Sequence, residues 1–330
     1  GGRIRHAAGD LAQAELLLGE ALSLAQGADR ATAAAWLGVL RAHQSRPADA
    51  LSLLSPAARG QVGVEQTSAT LHALLFTGHA HALAGHPALA LDSFTRYTAE
   101  VDRRQVPRFA ARAINFTGWV LRNLGASQES LDQHHAALEQ AAHGQVIVEL
   151  AIAARQDLAE HCLDQGDLAG AESQLAAAAA LHQGDLVFGW RLDLKHRLIR
   201  GRLALRAGDP GQALAIATGL EARAAGLGVP RYVSVARLLR HRASRALGRP
   251  VDLDLVAADL DLLDASVAIE AWWWTGDVAA DFAVPGWLDR AAERAGRLAR
   301  RAGRYGDGLR QAAGRRQQDW QAIARSGPAA

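Results

Sequence analysis

Apolar residues along this chain recur at helical spacing in short blocks, and the blocks come in pairs separated by a tight turn. Leu71, Leu74, Leu75 and Leu83 share one face of a first helix; Leu89, Leu91 and Phe94 mark a second, just across Gly85-His86-Pro87. Equivalent turns stand at Gly9-Asp10, Ser45-Arg46-Pro47, Gly125-Ala126, Gly166-Asp167 and Gly208-Asp209-Pro210. Asp10 and Asp167 have the chemistry of an N-cap for the helix that follows. Pro47, Pro87 and Pro210 fall in its first turn, where a missing N–H costs little. Between pairs the chain runs through linkers rich in Gly or Pro, at 26–29, 60–63, 105–107, 143–144, 183–185 and 226–230.

A second pattern ties the pairs into an array. A small residue is followed twelve positions later by another at Gly2/Ala14, Gly38/Ala50, Gly78/Ala90, Gly118/Ser130, Ala159/Ala171 and Gly201/Ala213. Successive first members lie 36, 40, 40, 41 and 42 residues apart. Two small residues astride a turn let two antiparallel helices approach closely, and hairpins of that kind stack into an all-α solenoid. A seventh unit begins near Arg231 and turns at Gly248-Arg249-Pro250. Beyond it come an acidic amphipathic helix over 252–270, then Trp272-Trp273-Trp274, a turn at Pro285-Gly286 and a basic helix from Trp287 to about Ala302. The expected organisation is a repeat array over 1–249 with a truncated first repeat, capping helices over 250–303, and a basic, partly disordered tail over 304–330.

Composition narrows the picture. Half the chain is apolar (49%) but only 5% is aromatic, which suits closely packed helices rather than a β-sandwich. No run approaches the roughly 20 apolar residues of a membrane span. A single cysteine, Cys162, fits a reducing compartment and hence a cytoplasmic protein, and reads as a buried structural thiol. The chain has no Met and begins at Gly1 within a first helix whose earlier half is missing, so a piece of a longer protein is expected. Net charge is segregated: −6 over residues 1–189, +10 over 190–249, −8 over 251–286 and +6 over 287–325. The last two segments are expected to pack together and close the end of the stack.

No catalytic constellation emerges. Lys195, the only lysine, is followed by His196 and belongs to no phosphate-binding loop. No His-x-x-x-His pair occurs, and the histidines read as scattered over polar faces. There is no Gly-x-Ser-x-Gly elbow. Asp252, Asp254, Asp259 and Asp261 lack the Gly and the terminal Glu of a calcium loop. A non-catalytic binding scaffold without metal or cofactor is expected.

Leu74, Gly78, Ala90 and Phe94 fall where the tetratricopeptide repeat places its signature residues, and the chain resembles that family. It departs at Trp36, shifted by two, at Ala159 in place of Gly, and in a stride above 34. The long units are similar to the helical sensor region of the maltose-regulon activator and related STAND-type ATPases and LuxR-type transcriptional regulators. The resemblance implies a right-handed superhelix whose first helices line a concave groove. It also implies a sensor role in transcription regulation or signal transduction, with ATP binding confined to a missing upstream part. Carried onto this chain, the groove positions hold Arg112, Asn115, Trp119, Arg122, Asn123, Gln156 and Glu160, then Lys195, Arg202, Arg206, Arg242 and Arg245. Partners implied are an acidic peptide or protein, or a small inducer, together with the missing N-terminal domains. No membrane is expected, and without interleaved stacking aromatics direct nucleic-acid binding is disfavoured. Two alternatives stay open: a free-standing adaptor that binds an acidic partner in the groove, and arginines that only solvate a long helical face.

Overall fold

A computed structural model describes residues 1–58, 67–142, 147–182 and 186–326. The linkers expected at 60–63, 143–144 and 183–185, and the last four residues of the tail, lie outside the described residues. Among the described residues there are seventeen α-helices, two short 3-10 turns and no strand. The helices pair as α1 (Gly2–Ala8) with α2 (Leu11–Leu24), α3 (Gly27–His43) with α4 (Pro47–Ala58), and α5 (Thr67–Leu83) with α6 (Pro87–Arg103). Then follow α7 (Ala110–Asn123) with α8 (Ser127–Ala142), α9 (Val148–Gln165) with α10 (Leu168–Leu181), and α11 (Gly189–Arg206) with α12 (Pro210–Leu227). The caps are those the turn residues dictate. The carboxylates of Asp10, Asp167 and Asp209 accept from the backbone N–H of Gln13, Gly170 and Gln212 at 3.3, 2.8 and 2.9 Å.

The small residues work differently from a simple mutual contact. A Cβ placed on Gly2 would lie 2.7 Å from Leu18, on Gly38 2.7 Å from Leu54, and on Gly118 2.6 Å from His134; on Gly78 it would enter the Phe94 ring. In each case the obstructing residue stands sixteen positions later, four beyond the second small residue of the pair. The glycine is a socket for a large side chain of the facing helix, and the second small residue is buried beside it. Gly201 is the exception: Ala217 is small, and the socket is filled by Leu239 of the next unit, 2.6 Å from a Cβ there. A mid-helix glycine costs about 1 kcal/mol against alanine. Full burial of a Leu or Phe offsets it at about 1.5–3 kcal/mol.

The seventh hairpin consists of α13 (Pro230–Ala246) and α14 (Leu253–Ser266), so the acidic helix is the second helix of a repeat, and residue 249 falls in its turn. Three helices follow: α15 (Ala268–Phe282), α16 (Pro285–Arg300) and α17 (Gly306–Ser326). As the charge segregation anticipates, basic α16 pairs with acidic α14: Arg290 with Asp261 at 2.5 Å, and Arg294 and Arg297 with Asp264 at 3.3 and 3.0 Å. The stretch 306–326, expected to be part of a frayed tail, is helical, and its Trp320 seats on Gly276 and donates its indole N–H to Asp277 at 2.9 Å.

Elements eight to ten helices apart touch, again and again. Trp190 of α11 donates to the His6 carbonyl of α1 at 3.1 Å. Trp119 of α7 donates to Glu270 of α15, which is packed on both α5 and α7. The Ala88 N–H of α6 reaches the Arg301 carbonyl just past α16 at 3.3 Å, and Ala312 of α17 sits on Gly125 just past α7. Five helix pairs therefore complete one superhelical turn. The C-terminal helices do more than cover a last face: they bear on the third and fourth units. No described helix is long and apolar enough to cross a membrane.

Candidate binding site

Because the superhelix turns so tightly, its inner helices converge. One residue set from each of α3, α5, α7, α9, α11 and α13 lines a single cavity of about 190 Å³. Its apolar walls are Leu75, Phe76, Leu83, Phe116, Trp119, Phe188, Trp190 and Tyr232, and its charged groups are Arg112, Arg191, Lys195, Arg231, Glu149 and Asp157. Phe188, just before α11, adopts a left-handed backbone conformation (φ 59°) that turns the chain into the cavity wall. A second recess shares His72, Arg112, Val187 and Phe188 with the first and continues it toward Arg3 and Trp36.

Histidines expected on polar faces are drawn inside: five by burial of the inner helices and a sixth, His134, on α8. His6, His43, His79, His134, His161 and His241 are buried. His6 Nε2 and His43 Nδ1 lie 2.8 Å apart, and rings of His43, Phe76, Phe188 and Trp190 meet edge to face at 4.8 to 5.6 Å. Burial first, and the Arg191 charge second, hold His6 down at about 3 and His43 and His79 well below the usual range. His43 Nε2 and His79 Nδ1, both on cavity-lining rings, are buried without a hydrogen-bond partner among the described residues. Among the described residues no three His, Cys, Asp or Glu side chains are grouped to hold a metal. Cys162 is half-buried against Ala159, Leu163, Ala171 and Leu175, and burial raises its thiol, as befits a structural residue.

Of the groove positions carried over from the repeat family, Arg112, Asn115, Trp119 and Lys195 come together on the cavity wall. Asn115 donates its amide N–H to Asp157 at 2.9 Å and accepts at Oδ1 from His134 Nδ1 at 3.0 Å, while Lys195 pairs with Asp157. Burial pushes the Asp157 carboxyl up, but Lys195, His134 and the Asn115 hydrogen bond outweigh it and hold it at about 2. Gln156 turns beside them and donates to the Leu192 carbonyl at 2.9 Å.

Of the other positions, Arg122, Asn123 and Arg202 are buried in an ionic layer, Arg242 and Arg245 are half-buried, and Arg206 is exposed. Arg122 meets Glu160 at 3.1 Å and Asp164 at 2.8 Å; Arg202 meets the same two at 3.0 and 3.4 Å. Asn123 accepts the Trp273 indole N–H at 2.9 Å through its side chain and that of Trp272 at 3.1 Å through its carbonyl. The Arg202 guanidinium lies 4.9 Å from the Trp273 ring centre. Arg242 is bound by Asp277 and Asp281, at 3.5 and 2.5 Å; Arg206 and Arg245 donate to the carbonyls of Leu163 and Asp281. The C-terminal positive charge is thus largely spent inside the fold: acids on α9 and α15 meet it, and Trp272 and Trp273 cover part of it.

Sequence reasoning passed over Arg191, Arg231, His43, His79 and Tyr232. Arg191 had a signal: with Lys195, Leu198 and Arg202 it forms an i, i+4, i+7, i+11 stripe, one face of α11.

No protein-family model and no curated protein sequence matches the chain. Solved structures do resemble it. A Rap protein complexed with competence and sporulation factor superposes with a TM-score of 0.62 at 16% identity, covering 89% of this chain and 80% of the other. The Rap conjugation gene regulator of plasmid pLS20 in complex with the Phr* peptide gives a TM-score of 0.59 at 14% identity, covering 88% and 75%. At such identities the likeness is one of fold: a tetratricopeptide-like helical-repeat solenoid.

Proposed function

We propose that this chain is a non-catalytic receptor whose inner helices take up a peptide, or an extended segment of a partner protein, in the cavity on the superhelix axis. The observation that carries this reading is the convergence of six inner helices on one space. That space combines aromatic walls, unspent hydrogen-bonding atoms on His43 and His79, and charged groups on the same walls. Of the two solved structures of like fold, one holds the Phr* peptide and the other competence and sporulation factor, which favours the adaptor reading over the sensor region of a regulatory ATPase. The acid-seeking groove is narrowed accordingly. Three of its six arginines already hold carboxylates and two more donate to backbone carbonyls, so recognition falls to Arg112, Asn115, Trp119, Lys195 and their neighbours in the cavity.

The test is selection of binders from a random peptide display library on the immobilised chain, repeated on Ala153→Trp. Ala153 is half-buried on the cavity wall, and an indole there occupies the space. Peptides selected on the parent protein are expected to bind the variant at least tenfold more weakly while its thermal midpoint stays unchanged. Equal binding to both proteins, or no enrichment on the parent, overturns the reading.

A further inference from the structure

Arg191 is a cation in the wrong company. It sits on the cavity wall among Phe188, Trp190 and Tyr232, and no described residue gives it a hydrogen bond or an ion pair. The charges that bear on it are those of Tyr232, Arg231 and Arg112; no carboxylate is among them. Burial, reinforced by the two arginines, pulls it down to about 10, so it remains charged at neutral pH. The other inner cations are satisfied. Arg122, Arg202, Arg231, Arg242 and Lys195 each have a carboxylate within 4 Å. Of the other described cations on this cavity, Arg112 shares the predicament: its polar contact is His72 Nε2 at 3.4 Å, and burial holds that imidazole at about 4, hence neutral. Two guanidiniums from α7 and α11 thus face one cavity with no ion pair of their own among the described residues, at a cost that an anion would relieve. Glu149 also lines the cavity, and it is not among the charges that reach Arg191.

We infer that Arg191 and Arg112 clamp the C-terminal carboxylate of a peptide that ends in an apolar residue. The anion is a carboxylate because the surroundings are apolar and aromatic, which suits a single delocalised charge on an apolar body; guanidinium forks match carboxylates two bonds at a time. It is a chain end because the axis is blocked below the cavity by Trp119 with Glu270 and by the Arg122–Glu160–Arg202 layer. A peptide entering along the axis has to stop there. The inference rests on the peptide reading, and names which end is held.

The test uses a pool of N-acetylated tetrapeptides, randomised at all positions, made once as free acids and once as C-terminal amides. Each pool is passed over the full chain and retained peptides are identified by mass spectrometry; 3-phenylpropionate is titrated separately as a free apolar acid. Retained free acids with Leu, Phe or another apolar last residue are expected, with affinity at least thirtyfold above the matching amides. Arg191→Met should erase the difference between acid and amide, and Arg112→Gln should reduce it at least fivefold. Equal retention of amides overturns the clamp and leaves the peptide reading standing. Binding of 3-phenylpropionate with retention of neither pool overturns the peptide reading and assigns the clamp to a small acid. Retention of nothing overturns both.

Discussion

Trp119 donates its indole N–H to the Glu270 carboxylate at 3.0 Å across 151 positions of chain, fastening the fourth unit to the first helix beyond the repeats. The same carboxylate takes the guanidinium of Arg231, so one acid satisfies two buried donors from two further helices. Removing it strands a charge and an N–H in the interior. Glu270→Leu is expected to lower stability by about 3–5 kcal/mol, the usual cost of breaking a buried pair from one side. Equilibrium urea unfolding measures it, and Arg231→Met in the same chain should restore more than half the loss. A loss below about 1 kcal/mol would mean that α15 is not held there.

The glycine sockets predict opposite signs for one chemical change. Gly78→Ala drives a methyl into the Phe94 ring and is expected to destabilise by about 1–3 kcal/mol, the cost of overpacking. Gly219→Ala, on the exposed side of α12 with nothing within 4 Å, should stabilise by about 0.5–1 kcal/mol. Paired urea curves decide; the same sign in both would refute the socket role.

Arg191 and Arg202 should respond oppositely to the same substitution. Arg202→Met leaves Glu160 and Asp164 short of a cation and is expected to cost about 3–5 kcal/mol. Arg191→Met removes an uncompensated charge and should raise stability, by about 1–3 kcal/mol. Thermal unfolding of the ligand-free protein distinguishes them.

Acid should unfold this protein earlier than carboxylates alone would. His6 is held at about 3, His72, His134 and His161 at about 4, and His43 and His79 lower than 6.5 as well, burial being the leading cause in every case. In the unfolded chain these groups bind protons near pH 6.5; in the folded chain they do not. The unfolded state then holds more protons, so stability is fully present above about pH 6.5 and falls as pH drops toward 4. Each such histidine contributes about 1.4 kcal/mol per pH unit within that window. Urea midpoints between pH 7 and 5 should report uptake of at least three protons on unfolding. A flat profile over that range would mean the histidines are solvated.

Much of the architecture was legible because it is local. The hairpins announce themselves through Gly9-Asp10 and Gly166-Asp167, where a left-handed residue and a capping carboxylate are adjacent, and through small residues twelve apart. His134 was legible too, by register: it stands where Leu18, Leu54 and Phe94 stand in other units, yet a lone histidine suggests a polar face. What the chain concealed is which turn of the superhelix meets which. The bonds of Asn123 to Trp272 and Trp273 follow from how many pairs complete a turn, and no residue pattern within one pair states that number. The candidate site was half legible for the same reason. Counting along a repeat finds Arg112 and Lys195, but whether a given arginine is free or spent depends on acids brought from α9 and α15.

Closure after five pairs is what makes an axial cavity, and a disulfide tests it most directly. Gly303, placed beside α6 by the hydrogen bond from Ala88 to Arg301, would carry its Cβ 3.7 Å from that of Ala88, within the range a disulfide spans. In a Cys162→Ser background, Ala88→Cys with Gly303→Cys should oxidise to an intramolecular crosslink under mild conditions, seen as faster migration on a non-reducing gel and loss of maleimide-reactive thiols. Two thiols that stay fully reactive would mean an open solenoid, with no enclosed space for a ligand.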